Sequence, residues 1–355
     1  MDLFQAKHPL LPDLQRLLIG SLESTIASLR GGGRAAGASS PRAGKSVSKK
    51  KPGRASTGKA SPRQADAWRG LLRVRAVLDL MGPSLDAELW VYERGALAQA
   101  IGPLAASRRA SAAVGLMKSE KSPPKAAGQG GASAWGIVRK TLDRSASSPS
   151  VLALTQGQTL NPTVYRLIAD LAEARARAVR LPGLKADRQT HTPDDQVLRD
   201  GLTATLRAVR RRDRWGRPPT KRRRPNPSDT PELGGALGPC GLLAEQLRLL
   251  EPAWPAGIKP LRKLATELAD AGSRWWAATL IAGTAARLLQ PTEPHAGKTP
   301  PDPKQLQAVQ AWASQTQQRL TDDAQPALDR LTLETPAALA KRLTGYTQLW
   351  RARQR

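Results

Sequence analysis

Cysteine is almost absent from this sequence, because Cys240 is the only one in 355 residues. A single cysteine excludes an internal disulfide framework and any metal site built from several cysteines. No apolar run approaches the roughly 20 residues that cross a bilayer. The N-terminus has an early acid and prolines, so it does not resemble a signal peptide. We therefore expect a soluble cytoplasmic protein with no transmembrane segment.

Catalytic patterns are missing as well. The three histidines, His8, His191 and His295, fall in a terminus or in predicted loops, and none has a neighbouring metal-ligand pattern. No glycine-rich phosphate loop precedes a predicted helix, and no serine or cysteine stands in a nucleophile motif. The sequence predicts a non-enzymatic protein that carries no cofactor and no metal.

Acidic residues are scarce relative to basic ones. The chain has 56 Lys+Arg against 29 Asp+Glu, a formal net charge of +27. So large an excess of one sign repels itself in the compact state. The expected partner is therefore a polyanion, and the candidates are nucleic acid, inorganic polyphosphate and an anionic membrane surface.

Part of the charge lies in segments that cannot build a core. Residues 31–63 contain no acid and no aromatic residue, so we expect a disordered basic linker. Further linkers are predicted at 118–133 and 216–235, with a proline-rich break at 291–303. The resulting division is a first helix over 1–30, the linker 31–63, the rest of a first helical bundle over 64–190, and a second bundle over 191–355 that contains the loop 216–235.

Nearly everything between these breaks has the leucine and alanine periodicity of helices, and strand alternation is rare. The predicted fold class is all-α. Helices are predicted over 3–29, 68–83, 93–117, 136–146, 163–180, 196–214, 242–251, 260–289, 303–332 and 336–351.

An internal repeat supports this architecture. "VRAVLDLMGP" (74–83) matches "LAEQLRLLEP" (243–252) at four apolar positions and at the final proline. Downstream, Leu97, Leu104 and Leu116 recur with the same spacings as Leu261, Leu268 and Leu280. The pattern indicates two halves built on one helical-hairpin plan.

These residues resemble the CHAD family, the conserved-histidine α-helical domain. Similar stretches are "ERGALAQAIGPLAASRRASAAVGLM" (93–117), "LRDGLTATLRAVRRR" (198–212), "GLLAEQLRLLEPAWP" (241–255) and "ALDRLTLETPAALAKRLTGYTQLW" (327–350). The positions of the two signature histidines carry Ala65 and Gly234, and the arginine after the first is Trp68. Arg108-Arg109 replaces the family's Arg-Asp pair. The chain is thus similar to a degenerate member that lacks the signature histidines.

The resemblance implies two pseudo-symmetric four-helix bundles and a basic central cavity that binds inorganic polyphosphate. It also implies an association with polyphosphate granules, with self-association or a granule protein as a further partner. The arginines expected to contact phosphates are Arg69, Arg73, Arg75, Arg108, Arg207, Arg210 and Arg211.

Each group of arginines also has a plainer interpretation. Val74, Leu78 and Met81 share one arc of a helix with Arg73 and Arg75 on its flanks, so both heads could instead reach water past their apolar stems. The spacing of Arg207, Arg210, Arg211 and Arg214 places them on one helix face, where like charges repel by a few tenths of a kcal/mol per pair. Bound phosphates would turn this repulsion into a net attraction, but an exposed, solvated helix face has the same pattern of arginines.

Two other functions stay open from the sequence. The basic segment 31–63 could bind nucleic acid, and the nine tryptophans could stack on bases, although most of them are better explained as core anchors. Alternatively, the helical fold has lost its ligand and is a scaffold for a protein partner. The second repeat carries Ala244 in place of Arg75 and Arg248 in place of Asp79. Any cavity should therefore draw its charge from the first half and from the helix predicted over 196–214.

Overall fold

The computed structural model describes residues 10–30, 62–119, 131–146, 162–179, 194–210, 238–290 and 302–353. They form α-helices and two short 3₁₀ turns, and this part of the chain has no strand, so the predicted all-α class is confirmed. Within the same residues, no helix is long and apolar enough to cross a membrane. The predicted linkers lie almost wholly outside the described residues, as do all three histidines.

The helices agree closely with those predicted. Within the described residues the largest differences are the starts of the helices predicted over 68–83 and 93–117, each six residues earlier than predicted, and residues 211–214 of the helix predicted over 196–214 lie outside the described part. The helices are α1 (Leu10–Arg30), α2 (Pro62–Met81), α3 (Ala87–Ser119), α4 (Gly131–Ala146), α5 (Pro162–Val179), α6 (Asp194–Arg210), α7 (Pro239–Leu250), α8 (Pro255–Leu289), α9 (Pro303–Leu331) and α10 (Pro336–Arg353).

Proline and short polar residues set the helix starts. The first residue of α2, α5, α7, α8, α9 and α10 is proline, whose fixed φ suits a first turn and whose missing N–H needs no partner there. Before α3, the Asp86 carboxylate accepts from the backbone N–H groups of Glu88 and Leu89 at 3.0 and 3.1 Å. Before α9, Asp302 accepts from the N–H of Lys304 at 2.9 Å. The proline-rich breaks in the sequence therefore end where helices begin.

The two copies of the sequence repeat form the same kind of corner. A 3₁₀ turn over Gly82–Ser84 joins α2 to α3, and another over Glu251–Ala253 joins α7 to α8. In each corner, the N–H after the turn donates to the carbonyl of the first turn residue, at 3.1 Å in the first copy and 3.2 Å in the second. Pro83 and Pro252 occupy the same position in the two turns, so the sequence repeat around these prolines corresponds to a repeated helix–turn–helix corner.

The described residues form two hydrophobic cores. The larger core joins α1, α2, α5, α6, α7 and α10 with the first parts of α3 and α8 and the end of α9, and it includes Leu14 and Leu243. The smaller core joins α4 with the far ends of α3 and α8 and the start of α9, and it includes Val138 and Ile281. Each core contains side chains from both sides of residue 190, so the two halves share their cores. The division at residue 190 stays a prediction.

Helix α2 is central because α1, α6 and α7 all pack on it. Gly201 of α6 lies so close that a Cβ there would be 2.4 Å from the Leu80 carbonyl oxygen. The fully buried Gln246 of α7 donates through Nε2 to the Ala76 carbonyl at 3.3 Å and to Thr205 Oγ1 at 3.0 Å. These contacts make α6 antiparallel to α2. The C-terminal end of α6 therefore lies towards the N-terminal half of α2.

Candidate anion-binding site

Helix α2 carries two arginines in very different surroundings. Arg73 and Arg75 are two residues apart, about 200° around the helix, so their side chains leave on different sides. Arg75 is 2% exposed and belongs to the interior, whereas Arg73 is half-buried. The surface interpretation of this helix therefore does not describe Arg75, whereas the half-buried Arg73 fits a stem on the core with its head partly in water.

The charge of Arg75 is compensated inside the protein. Its Nε lies 3.1 Å from Oδ2 of Asp79, one turn along α2, and its Nη1 donates to the Arg94 carbonyl at 3.3 Å. The Arg94 guanidinium adds a longer contact of 3.8 Å to the same carboxylate. Burial raises the pKa of Asp79, although Arg75 acts in the opposite direction. Arg75 is thus part of a buried ion pair that fastens α3 to α2.

On the other side of α2, arginines from three helices come together. Arg69 and Arg73 stand one turn apart on α2; the charge of Arg69 acts on Arg108 of α3, and the charge of Arg248 of α7 acts on Arg73. We call Arg69, Arg73, Arg108 and Arg248 the basic cluster.

The Arg108 end of the basic cluster rests on an aromatic ring. The guanidinium carbon of Arg108 lies 4.9 Å from the ring centroid of Trp68, which is itself buried. Burial lowers the pKa of Arg108, and the like charge of Arg69 lowers it further. Arg69 is exposed and pairs with the exposed Asp66 at 3.2 Å.

The Arg73 end of the basic cluster contains one carboxylate. Burial lowers the pKa of Arg73, the nearby Arg248 lowers it too, and Glu245 acts in the opposite direction. Glu245 is engaged by Arg248, whose Nε and Nη2 lie 3.0 and 2.7 Å from Oε2. One carboxylate therefore faces two guanidinium groups.

Three nitrogen donors of the basic cluster have no hydrogen-bond acceptor among the described residues, and one of them, Nη2 of Arg248, still lies within ion-pair distance of Glu245. Nε of Arg73 and Nη1 of Arg108 are both buried, and neither has a hydrogen-bond acceptor among the described residues. A buried donor without an acceptor costs about 1–3 kcal/mol. An anion with several oxygens, placed between α2, α3 and α7, would supply acceptors and reduce the repulsion among the arginines.

The predicted arginines of α6 lie apart from this buried region. Arg207 and Arg210 are both exposed, and Arg211 lies outside the described residues. They stand at the C-terminal end of α6, which is directed towards the N-terminal half of α2. The structure thus brings Arg69, Arg73 and Arg108 together, leaves Arg207 and Arg210 on the surface, and places Arg75 in the core.

Tryptophans in the described part serve packing. Trp68 and Trp135 are buried, and Trp135 meets Trp312 edge to face, with ring centroids 4.7 Å apart. Trp215 lies outside the described residues. Within the described ranges, the aromatic ring most open to water is that of Tyr92 on α3, and it is covered by Arg177, whose guanidinium carbon lies 5.4 Å from the ring centroid.

Sequence reasoning missed two members of this region, Arg248 and Glu245. The sequence repeat draws attention to Arg248, because this residue stands in the second copy where the first copy has Asp79. The repeat does not indicate, however, that the packing of α7 places Arg248 beside Arg73. The support of Arg108 by Trp68 was also missed, since the two residues are 40 positions apart.

Searches for related proteins found no counterpart. No family model matches the chain, and no curated protein and no solved structure is significantly similar to it.

Proposed function

We propose that this chain is a non-enzymatic polyanion-binding protein and that its ligand is inorganic polyphosphate, bound at the basic cluster. The observation that carries the proposal is the pair of buried donors without acceptors, Nε of Arg73 and Nη1 of Arg108. Phosphate oxygens are suitable acceptors, because a guanidinium group matches their geometry and each charge-assisted hydrogen bond contributes roughly 1.5–3 kcal/mol.

A chain of phosphates fits the arrangement better than a single small anion does. Arg69 and Arg73 are one helical turn apart, which places their Cβ atoms about 5–6 Å from one another. Arg108 lies beside the first and Arg248 beside the second. A flexible chain with a negative charge on every unit can contact both ends of the basic cluster at once.

The remaining predicted arginines have an outer role in this proposal. Arg207 and Arg210 would attract the polyphosphate chain from the end of α6. Arg211 and residues 31–61, the part of the basic segment 31–63 that precedes α2, would add to that attraction from outside the described residues. Each exposed contact should contribute little, because water and salt screen it. Arg75 is left out, since Asp79 already compensates its charge.

The order of the helices supports the architecture that the CHAD resemblance implies. α1 packs on α2 and α5, as α6 packs on α7 and α10, and the pair α3 and α4 corresponds to α8 and α9. The pseudo-symmetric halves would then be α1–α5 and α6–α10. The basic cluster would lie where α2 of one half packs on α7 of the other, with Arg108 of α3 beside Arg69. An association with polyphosphate granules belongs to the same proposal.

The aromatic residues favour polyphosphate over single-stranded nucleic acid. Proteins that bind single strands without sequence preference stack bases on accessible aromatic rings. In the part of the chain that the structure describes, no tryptophan is exposed. Trp68 lies beneath Arg108, so it supports a guanidinium group and offers no face to a base.

The proposal is tested by calorimetric titration of the full chain with long-chain polyphosphate and with single-stranded DNA of equal phosphate number. We expect the double variant Arg73→Gln/Arg108→Gln to lose most of its affinity for polyphosphate. Deletion of 31–61 should leave that affinity largely intact and weaken DNA binding more. The reverse pattern would show that the basic segment, and not the basic cluster, is the binding element.

A further inference from the structure

Glu245 occupies an unusual place in the basic cluster. Its side chain is 17% exposed, and its Oε2 lies 2.7 Å from Nη2 of Arg248. The same carboxylate also acts on Arg73 across the interface between α7 and α2. Asp66, the other acid that pairs with the basic cluster, is 58% exposed and contacts only the exposed Arg69 in the described part. The two acids thus differ in burial and in the number of guanidinium groups they face.

We propose that the Glu245 carboxylate is an internal competitor for the anion and sets the affinity of the site. In the free protein it holds the Arg248 guanidinium group at the place where a phosphate group would bind beside Arg73, and a bound phosphate displaces it towards solvent. The inference rests on the proposed function, because it concerns the same basic cluster. A carboxylate supplies two acceptor oxygens to guanidinium groups, as a phosphate does, so the two compete for the same donors.

The direct test is calorimetric titration of Glu245→Gln with long-chain polyphosphate. We expect binding to tighten about fivefold, the effect of removing a competing charge from a partly buried pair. The dependence of log Kd on log salt should steepen by about 0.7–0.9, because Arg248 then neutralises one more phosphate. Without polyphosphate the variant should unfold at a lower temperature than the wild type, since Arg248 loses its carboxylate partner and the repulsion between Arg73 and Arg248 is no longer offset.

Asp66→Asn is the matched control, because it removes the same charge from an i,i+3 pair on a neighbouring helix. It should tighten binding less than twofold. In an Arg248→Gln background, Glu245→Gln should increase the affinity for polyphosphate less than it does alone, because Glu245 no longer has the Arg248 guanidinium group to compete for.

The outcomes separate the inference from the proposed function. A wild type that binds polyphosphate while Glu245→Gln binds equally or more weakly would overturn the competitor role and leave the proposed function standing. An equal gain in Asp66→Asn and Glu245→Gln would also overturn it, because net charge alone would then explain both. A chain that binds no polyphosphate in either form would overturn both.

Discussion

Arg73 and Arg75 stand two residues apart on one helix, and both are partly or fully withdrawn from water. Arg75 meets a carboxylate at 3.1 Å and a backbone carbonyl at 3.3 Å, so its charge is compensated within the fold. Arg73 meets another guanidinium group, which itself holds the neighbouring carboxylate. The proposed site therefore rests on the missing carboxylate contact of Arg73 and not on burial, since Arg75 also has a buried nitrogen, Nη2, without an acceptor in the described part.

The same substitution at the two positions should therefore have opposite effects. Arg75→Met should reduce the free energy of unfolding by about 3–5 kcal/mol, because it leaves the Asp79 carboxylate buried with only the longer contact to Arg94. Urea denaturation measures this loss. The double variant Arg75→Met/Asp79→Leu should recover much of it, and a double variant as unstable as the single one would contradict the pairing.

The loss of unfolding free energy in Arg75→Met should also depend on pH, and this pH-dependent part should be smaller than the total loss. Burial already raises the pKa of Asp79 above 3.8, and without Arg75 it should rise further. As pH falls through that raised pKa towards 3.8, the folded state takes up a proton before the unfolded state does. The variant should therefore become more stable relative to the wild type as the pH falls from 7 to 5. Urea denaturation at both pH values checks this, and an equal loss at each would contradict it.

Arg73→Met should raise the free energy of unfolding by about 1 kcal/mol, because it removes a buried donor that has no acceptor among the described residues. It keeps an apolar stem on the surface of α2 and removes the repulsion between Arg73 and Arg248. The measurement is the same urea denaturation, with Arg75→Met as the reference. A loss of several kcal/mol at position 73 would show that this arginine is structural like its neighbour.

Much of the fold followed from the sequence. The prolines that open α5, α9 and α10 are local signals, and the predicted starts of these helices lie within one residue of the observed ones. Apolar periodicity alone predicts the starts of α2, α7 and α8 three to six residues too late, because each of these helices begins at a proline before the apolar pattern. The repeat around Pro83 and Pro252 likewise predicted two matching corners. The sharing of both cores by the two halves was not predictable, because periodicity identifies a buried face without naming its partner.

The site was predictable only in part, for a related reason. Charge and spacing identified Arg69, Arg73 and Arg108, yet the same reasoning favoured Arg75 equally, because the neutralising role of Asp79 depends on the depth of both side chains. Arg207 and Arg210 form the stronger pattern in sequence but lie exposed at the end of α6. Arg248 and Glu245 belong to the site through the packing of α7 on α2, which no local pattern records.

The most direct test compares two variants that lose the same charge, Arg73→Gln/Arg108→Gln in the half-buried region and Arg207→Gln/Arg210→Gln on the exposed end of α6. Calorimetric titration with long-chain polyphosphate at fixed salt gives both affinities. We expect the first variant to bind at least about 150-fold more weakly than the wild type, because roughly 1.5–3 kcal/mol is lost with each of the two charge-assisted hydrogen bonds, and the second less than about threefold more weakly. Equal losses in the two variants would contradict a specific site and leave only attraction by net charge.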